Sequence, residues 1–425
     1  MNTAFAQKID AVIESLTPEL VAYSKQLISF PTVAGQEQGA QEYLRTMLEE
    51  RGFAVDMWEP DIQAMREFFP FFRGSRESFA GSPNVVGVRK GTGGGRSLMV
   101  NGHIDVVPPG ERSAWNTDPF TGVLEGDRLY GRGISDMKIA HAAFLTCVDA
   151  LEKLGVQLKG DLILESVVDE ETGGAGTLAA IMRGYQADGA VIPEPTGMVA
   201  CTSSPGVSYF KVKVKGRAFH GGTRYKGVSA IEKAMEVVTA LQELEADRTI
   251  RLHHPLFPAL IPFTINIGTI QGGAWPSMVP DEVVMEGRFG ISPRETLESA
   301  RAEFEKALAA LAEEDPWFQE APVEVEWTNN FLLPGESDPD HALVRVAAEH
   351  FRTVTGREME IGGCGAGTDG GALMTFGKTP AIVFGPGHTA HCANEYIEIS
   401  EAKRFAKILL AVIIDWCGME ESEDL

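Results

Sequence analysis

The stretch Leu162-Ile163-Leu164-Glu165-Ser166-Val167-Val168 runs straight into three consecutive acids, Asp169-Glu170-Glu171, and then Thr172-Gly173-Gly174. A near-continuous apolar run of this length reads as a strand buried on both faces, the signature of a parallel-type sheet between helices. Carboxylates at the end of such a strand repel one another and are costly to bury without a positive partner. A metal ion is the natural candidate. Successive side chains on a strand point to opposite faces, so Glu170 and Glu171 serve one site only if the strand has ended before them. The two glycines allow that.

Strand and helix patterns alternate on either side of this run. Helical spacing covers residues 9–30 and 37–51, then come a strand (97–106), a helix (137–154), the strand 161–168, a short helix (176–183) and a buried strand (189–192). From 206 to 327 the order changes to strand (207–214), helix (229–245), strands (264–270 and 282–289), helix (294–311) and strand (323–327). That is the β-α-β-β-α-β order of a split, ferredoxin-like unit. Alternation then returns with helices at 339–355, 369–376 and 400–416 and a strand at 380–384. The expected architecture is an α/β domain, residues 1–205 and 328–425, whose mixed, mostly parallel sheet carries helices on both faces. An inserted α+β ferredoxin-like domain, 206–327, interrupts it. Residues 61–82, rich in Phe and carrying Arg66, Arg73 and Arg76, read as a loop covering the substrate mouth.

Charge narrows the function classes. With 37 basic and 60 acidic residues the net charge is −23, which argues against a nucleic-acid partner. The apolar run at 408–414 is too short to span a bilayer. Residues 1–15 lack the apolar core of a secretory signal, so the cytoplasm is the expected compartment. The five cysteines are scattered without CxxC spacing, which points to neither a disulfide framework nor a zinc finger. The acids from Glu420 to Asp424 read as a solvated tail.

Five segments carry candidate ligands at strand ends or in loops, where open α/β sheets place their sites. In Asn101-Gly102-His103-Ile104-Asp105, His103 and Asp105 point the same way on an extended chain. His103 suits zinc, and Asp105 is placed to hold the ring's other side. Asp136, in Gly133-Ile134-Ser135-Asp136-Met137-Lys138, opens the following helix, and on its own a helix cap is the simpler account. Glu170 and Glu171 form the third segment. One carboxylate suits a metal, while its unligated neighbour suits proton transfer from activated water. Glu194 sits between Pro193 and Pro195 after a buried strand, which suits a fixed ligand or an ordinary turn. Last, His388 and His391 lie three apart in a loop; spacing does not choose between them, and Cys392 reads as a bystander. One of these histidines with His103, Asp136, Glu171 and Glu194 makes two His and three carboxylates, a set for two zinc ions sharing one Asp.

The motifs HID, SDMK, DEETGG, EPT and the late AH…NEY resemble, in order and over essentially the whole chain, the M20 metallopeptidases. That family includes acetylornithine deacetylases, succinyl-diaminopimelate desuccinylases, aminoacylases and carboxypeptidases of the G type. The resemblance implies that His103 and Glu194 bind one zinc, that Glu171 and His391 bind the other, and that Asp136 bridges them. It implies Glu170 as general acid/base, Asp105 as the partner of His103, and His391 rather than His388. It also implies that the inserted domain is a lid and homodimerisation domain. From there His220 would reach the other subunit's site and stabilise the oxyanion. Asn266 and Arg288 match positions that hold a substrate carboxylate. The loop 362–371, with Gly365 and Gly367, precedes a helix and is expected to offer backbone N–H groups to the same carboxylate. Two positions depart from the family pattern: Ile139 where Gly is frequent, and Ser277 where Asn is usual.

The implied activity is zinc-dependent hydrolysis of an N-acyl amino acid, in the manner of an acetylornithine deacetylase, with cobalt or manganese fitting the same ligands. A dipeptidase, a carboxypeptidase or an N-formyl-amine deformylase uses the same machinery. A catalytically inactive binding relative should have lost Glu170 or a ligand, and every one is present.

Overall fold

A computed structural model of the chain describes residues 3–72 and 76–420; Arg73 and the acids beyond 420 lie outside the described residues. Packing divides the chain into two units. The first comprises the residues before 204, 336–364 and those from 368 onward, and the second comprises 204–335 with 365–367. The second unit runs on past residue 327 because the strand Glu324–Leu332 belongs wholly to its sheet.

In the first unit the strands order as Ala54–Trp58, Asn84–Arg89, Leu162–Val167, Leu98–His103, Ala190–Ile192, Ala381–Val383, Ala200–Ser204 and Gly335–Glu336. The strand Ile361–Gly363 pairs beside Ala200–Ser204. From Leu162–Val167 to Ala381–Val383 the neighbours run parallel, and antiparallel strands flank this centre. The sheet is therefore mixed with a parallel core. Gly102 faces His141 and Ala140 of the helix Ile139–Lys153. Its neighbour Asn101 bonds to Thr177 in the helix Ala175–Met182. Adjacent strand residues look to opposite faces, so helices cover both sides. Leu98–His103 and Leu162–Val167 are buried at every position, as the apolar runs require. Their parallel register sets His103 opposite Val167 and so brings both strand ends to one level.

Several elements differ from the sequence reading. The expected helix at 9–30 is two helices, Thr3–Ser15 and Thr17–Ile28, with Pro18 in the first turn of the second; a proline is tolerated there but not in a helix interior. Among its described residues the segment 61–82 is not all loop but holds a helix. Asp61 caps the helix Ile62–Phe68 by accepting from the N–H groups of Gln63 and Ala64, and Phe69, Phe72 and Phe79 are buried. A further three-stranded sheet joins Val123–Glu125, Arg128–Tyr130 and Tyr396–Glu398.

The second unit has the expected ferredoxin-like arrangement. Its strands order as Ile265–Gly272, Glu282–Ile291, Gly206–Lys215 and Glu324–Leu332, all antiparallel. Phe210, Val212, Val214, Val283, Met285 and Phe289 are buried on one face. Phe304, from the helix Leu297–Ala309, packs its ring against Phe210 and Phe289. The alternating residues Tyr209, Lys211, Lys213 and Lys215 form the solvated face. No helix among the described residues is long and apolar enough to cross a membrane.

Candidate metal centre

His103, Glu170, Glu171 and Glu194 sit at or just past strand ends, while Asp136 lies in the turn Ile134–Lys138 and His391 in the loop before Tyr396–Glu398. Leu98–His103 delivers His103 as its last residue, 1% exposed. The ring's Nδ1 lies 2.9 Å from the Asp105 carbonyl oxygen and 3.8 Å from its carboxylate. The Nε2 lies 3.0 Å from Asp136 Oδ1 and 3.9 Å from Glu194 Oε2. One face of the imidazole is thus fixed by Asp105 while the other looks into a ring of carboxylates. Asp105 also accepts from the N–H groups of Glu170 and Glu171, at 3.3 and 3.2 Å.

The strand alternation does stop before the two glutamates. Asp169 adopts a left-handed φ of 73°, and Glu170–Thr172 form one helical turn, so Glu170 and Glu171 leave the same short turn. Asp136 does not cap a helix. The helix Ile139–Lys153 begins three residues later and has no side-chain cap, while Asp136 itself is extended at φ −126° and ψ 91°. Gly133 makes that path possible: its φ is +81°, and a Cβ there would lie 2.3 Å from Val106 Cγ1.

His391 and not His388 joins the cluster. Its Nε2 lies 2.9 Å from Glu171 Oε2 and 3.3 Å from Asp136 Oδ2. His388 is exposed and meets the ring of Tyr396. Each oxygen of Asp136 therefore faces a different histidine. Ligand atoms of His103, Asp136 and Glu171 come within 4.8 Å of one another, and so do those of His103, Glu170 and Glu194.

The electrostatics mark a place for positive charge. Burial, reinforced by Glu194, raises the Glu170 pKa well above the ordinary carboxylate value. Burial with Asp136 does the same to Glu194. Burial pushes Asp105 up to about 7 against the pull of His103. Burial disfavours a charged His103, yet its hydrogen bond to Asp136 and the fields of Glu194, Asp105 and Glu170 hold its pKa well above normal. Hydrogen bonds to Asp136 and Glu171 raise His391 to about 10. Two histidines among four converging carboxylates form a hard, nitrogen-and-oxygen donor set that fits divalent ions such as zinc.

Two residues of this site escaped the sequence reading. Glu395 is fully buried and accepts from the N–H groups of Gly133, Ser135 and Asp136 at 3.0, 2.8 and 3.1 Å. It also takes Arg132 Nη1 at 2.6 Å. Together they hold the Asp136 backbone in place. The signal was present in the NEY motif, but nothing in its spacing tied it to residues 260 positions earlier.

The remaining candidates lie in the second unit. His220, exposed, ends the two-residue strand Phe219–His220 and accepts the Gly222 N–H at Nδ1. Asn266 and Arg288 are cross-strand neighbours. Gly365 and Gly367 pack with this unit. The following helix, Gly370–Thr375, starts beyond them.

The Peptidase family M20/M25/M40 model matches residues 99–415. An N-formyl-4-amino-5-aminomethyl-2-methylpyrimidine deformylase from Halalkalibacterium halodurans is 34% identical over 98% of both chains. An acetylornithine deacetylase from Salmonella agona is 26% identical over 95% of this chain and all of its own. The crystal structure of a Staphylococcus aureus tripeptidase superposes with a TM-score of 0.74 at 21% identity, covering 94% of this chain and 98% of its own. With HID, SDMK, DEETGG and EPT gathered around one cluster, the chain belongs to peptidase family M20/M25/M40 and is a metal-dependent amidohydrolase of it.

Proposed function

We propose that the protein removes a small acyl group from an amine, using two zinc ions. The observation that carries this reading is Glu170, a buried carboxylate grouped with His103 and Glu194 and held at its N–H by Asp105. His103 and Glu194 would hold one ion, Glu171 and His391 the other, with Asp136 between them; its two oxygens already face the two histidines. Bound there, the ions would supply the Lewis acidity that activates water and polarises the scissile carbonyl. Glu170 takes a proton from the attacking water as the oxygen adds to the acyl carbon. It then gives that proton to the amine nitrogen as the C–N bond breaks. Asp105 keeps the His103 ring oriented and the Glu170–Glu171 turn in register.

The first substrate class is an N-formylated amine of a small heterocycle, supported by the deformylase relative matched over nearly the full length of both chains. A second reading, an N-acyl amino acid, is favoured by Arg288. This half-buried guanidinium lies beside Asn266 with no acidic partner among the described residues, and its planar donors match a free carboxylate. A hydrolysis assay of the zinc-loaded protein on N-formyl heterocyclic amines, N-acetyl and N-succinyl amino acids and dipeptides separates them. Turnover of none of these, or turnover that survives chelation of the metal, refutes the proposal.

The inserted unit is proposed to pair two copies of the chain. Its edge strand Ile265–Gly272 is exposed, with Ile270 58%, Trp275 67% and Met235 65% exposed nearby. An open edge beside apolar side chains invites a symmetric partner. His220 would then stabilise the oxyanion in the other subunit's site. Mixing inactive Glu170→Gln and His220→Ala chains should restore part of the activity; no recovery under subunit exchange counts against this.

A further inference from the structure

The turn that carries Glu170 and Glu171 is gripped from a direction the mechanism does not use. Asp169, its first residue, has a φ of 73°, a conformation that Asp tolerates better than most residues but that still needs support. The Asp169 carbonyl accepts from Gly173 and Gly174 at 2.9 and 2.7 Å, and its carboxylate accepts from the Thr172 hydroxyl at 2.6 Å. The same carboxylate lies 3.4 Å from Arg76 Nε.

Arg76 in turn donates to Glu37 Oε1 at 2.8 Å and to the Ser82 hydroxyl at 2.9 Å. Ser82 donates to the other oxygen of Glu37 at 2.7 Å. The guanidinium stacks over the Phe79 ring, 4.4 Å from its centre. The Glu37 and Asp169 carboxylates are fully buried, so one guanidinium serves two carboxylates cut off from water. Just beyond, Asn84 accepts the N–H of Val168 and donates to the carbonyl of Gly176, spanning the turn at its base. Gly176 lets these groups meet, since a Cβ there would lie 2.4 Å from the Val168 carbonyl oxygen.

We propose that Arg76 is a positioning residue for hydrolysis: through Asp169 it fixes the turn so that Glu170 and Glu171 both face the metal centre. The Phe-rich segment around it is then the mount for that turn. This rests on the proposed roles of Glu170 and Glu171, so the primary readout is chosen to stand without a substrate.

The test measures the affinity of the apoprotein for zinc by competition with a chromogenic chelator, alongside kcat and KM. Arg76→Met keeps the stem and removes the guanidinium, and Arg76→Lys keeps only its charge. Asp169→Asn keeps size and tolerance of the left-handed conformation, and so guards against a simple folding failure. Loss of an outer support of this kind lowers metal affinity or activity by about 10–100-fold. We expect that loss in Arg76→Met and Asp169→Asn, in kcat with KM nearly unchanged, and partial recovery in Arg76→Lys. Wild-type zinc affinity and turnover in Asp169→Asn overturns the proposal, whatever Arg76→Met does. If wild-type protein hydrolyses none of the substrates tried, the zinc readout still decides this inference while the functional reading fails.

Discussion

The surroundings of the cluster in the first unit and the solvated sheet face of the second treat charge in opposite ways. In the first, Arg132 and Glu395 meet at 2.6 Å with 2% and 0% of their side chains exposed. On the solvated sheet face of the second, Lys211 and Glu286 stand 3.9 Å apart with 38% and 55% exposed, and Lys213 and Glu282 stand 4.0 Å apart. Exposed pairs are screened and contribute only ~0–1 kcal/mol. A buried pair gains little over an apolar substitute, but removing one partner strands the other charge. The buried pairs therefore act as geometric restraints, whereas the exposed ladder mainly keeps a half-open sheet compatible with water.

Four substitutions sharpen or break that contrast. Glu170→Gln should cut kcat by about 10²–10⁴-fold, the range expected of a lost acid/base, while zinc remains bound; kinetics with metal analysis would show it, and retained turnover removes Glu170 from the mechanism. Arg132→Met should lower unfolding free energy by about 3–5 kcal/mol in urea titrations, because Glu395 is left buried without its countercharge. A loss no larger than that of a surface lysine would erase the distinction between these two regions. Glu165 supplies a pH test. Burial raises its pKa from 4.5 to about 8, opposed by a hydrogen bond from Asn101. Between those values the folded state keeps a proton that the unfolded state releases, so stability falls as pH rises through the window. Glu165→Gln removes this loss and should be more stable than wild type at pH 8 by about 1–3 kcal/mol, with the advantage vanishing near pH 4.5. Thermal midpoints across that range would test it. Lys211→Ala should change stability by less than ~1 kcal/mol, and less still at high salt.

What could be read from the chain beforehand followed from local rules. The apolar run before Asp169, the two-residue spacing of His103 and Asp105 and the β-α-β-β-α-β order each place residues within a single element or its neighbours. They located the parallel core and the strand ends that carry His103, Glu170 and Glu171. The supports were not legible, because they depend on pairings between distant segments. Arg76 meets Asp169 and Arg132 meets Glu395 only once the sheet order is known. The antiparallel strands Ala54–Trp58 and Asn84–Arg89 were missed for a related reason: their pairing with each other and with Leu162–Val167 is non-local. Asp136 misled in the other direction, since an acid just before a helix reads as a cap until its extended backbone is seen.

One feature of the site's layout bears on how the protein is made. Glu194 precedes His391 by roughly 200 residues, which at about 5–20 residues per second is some 10–40 s of synthesis. During that interval the nascent chain presents His103, Asp136, Glu171 and Glu194 without the last histidine, while the nearly continuous stretch 204–335 emerges whole. Until His391 emerges, the earlier residues offer one histidine and three carboxylates, an incomplete donor set. The full set of five donors therefore exists only once residue 391 has been made, and an ion held by all of them would be captured no earlier.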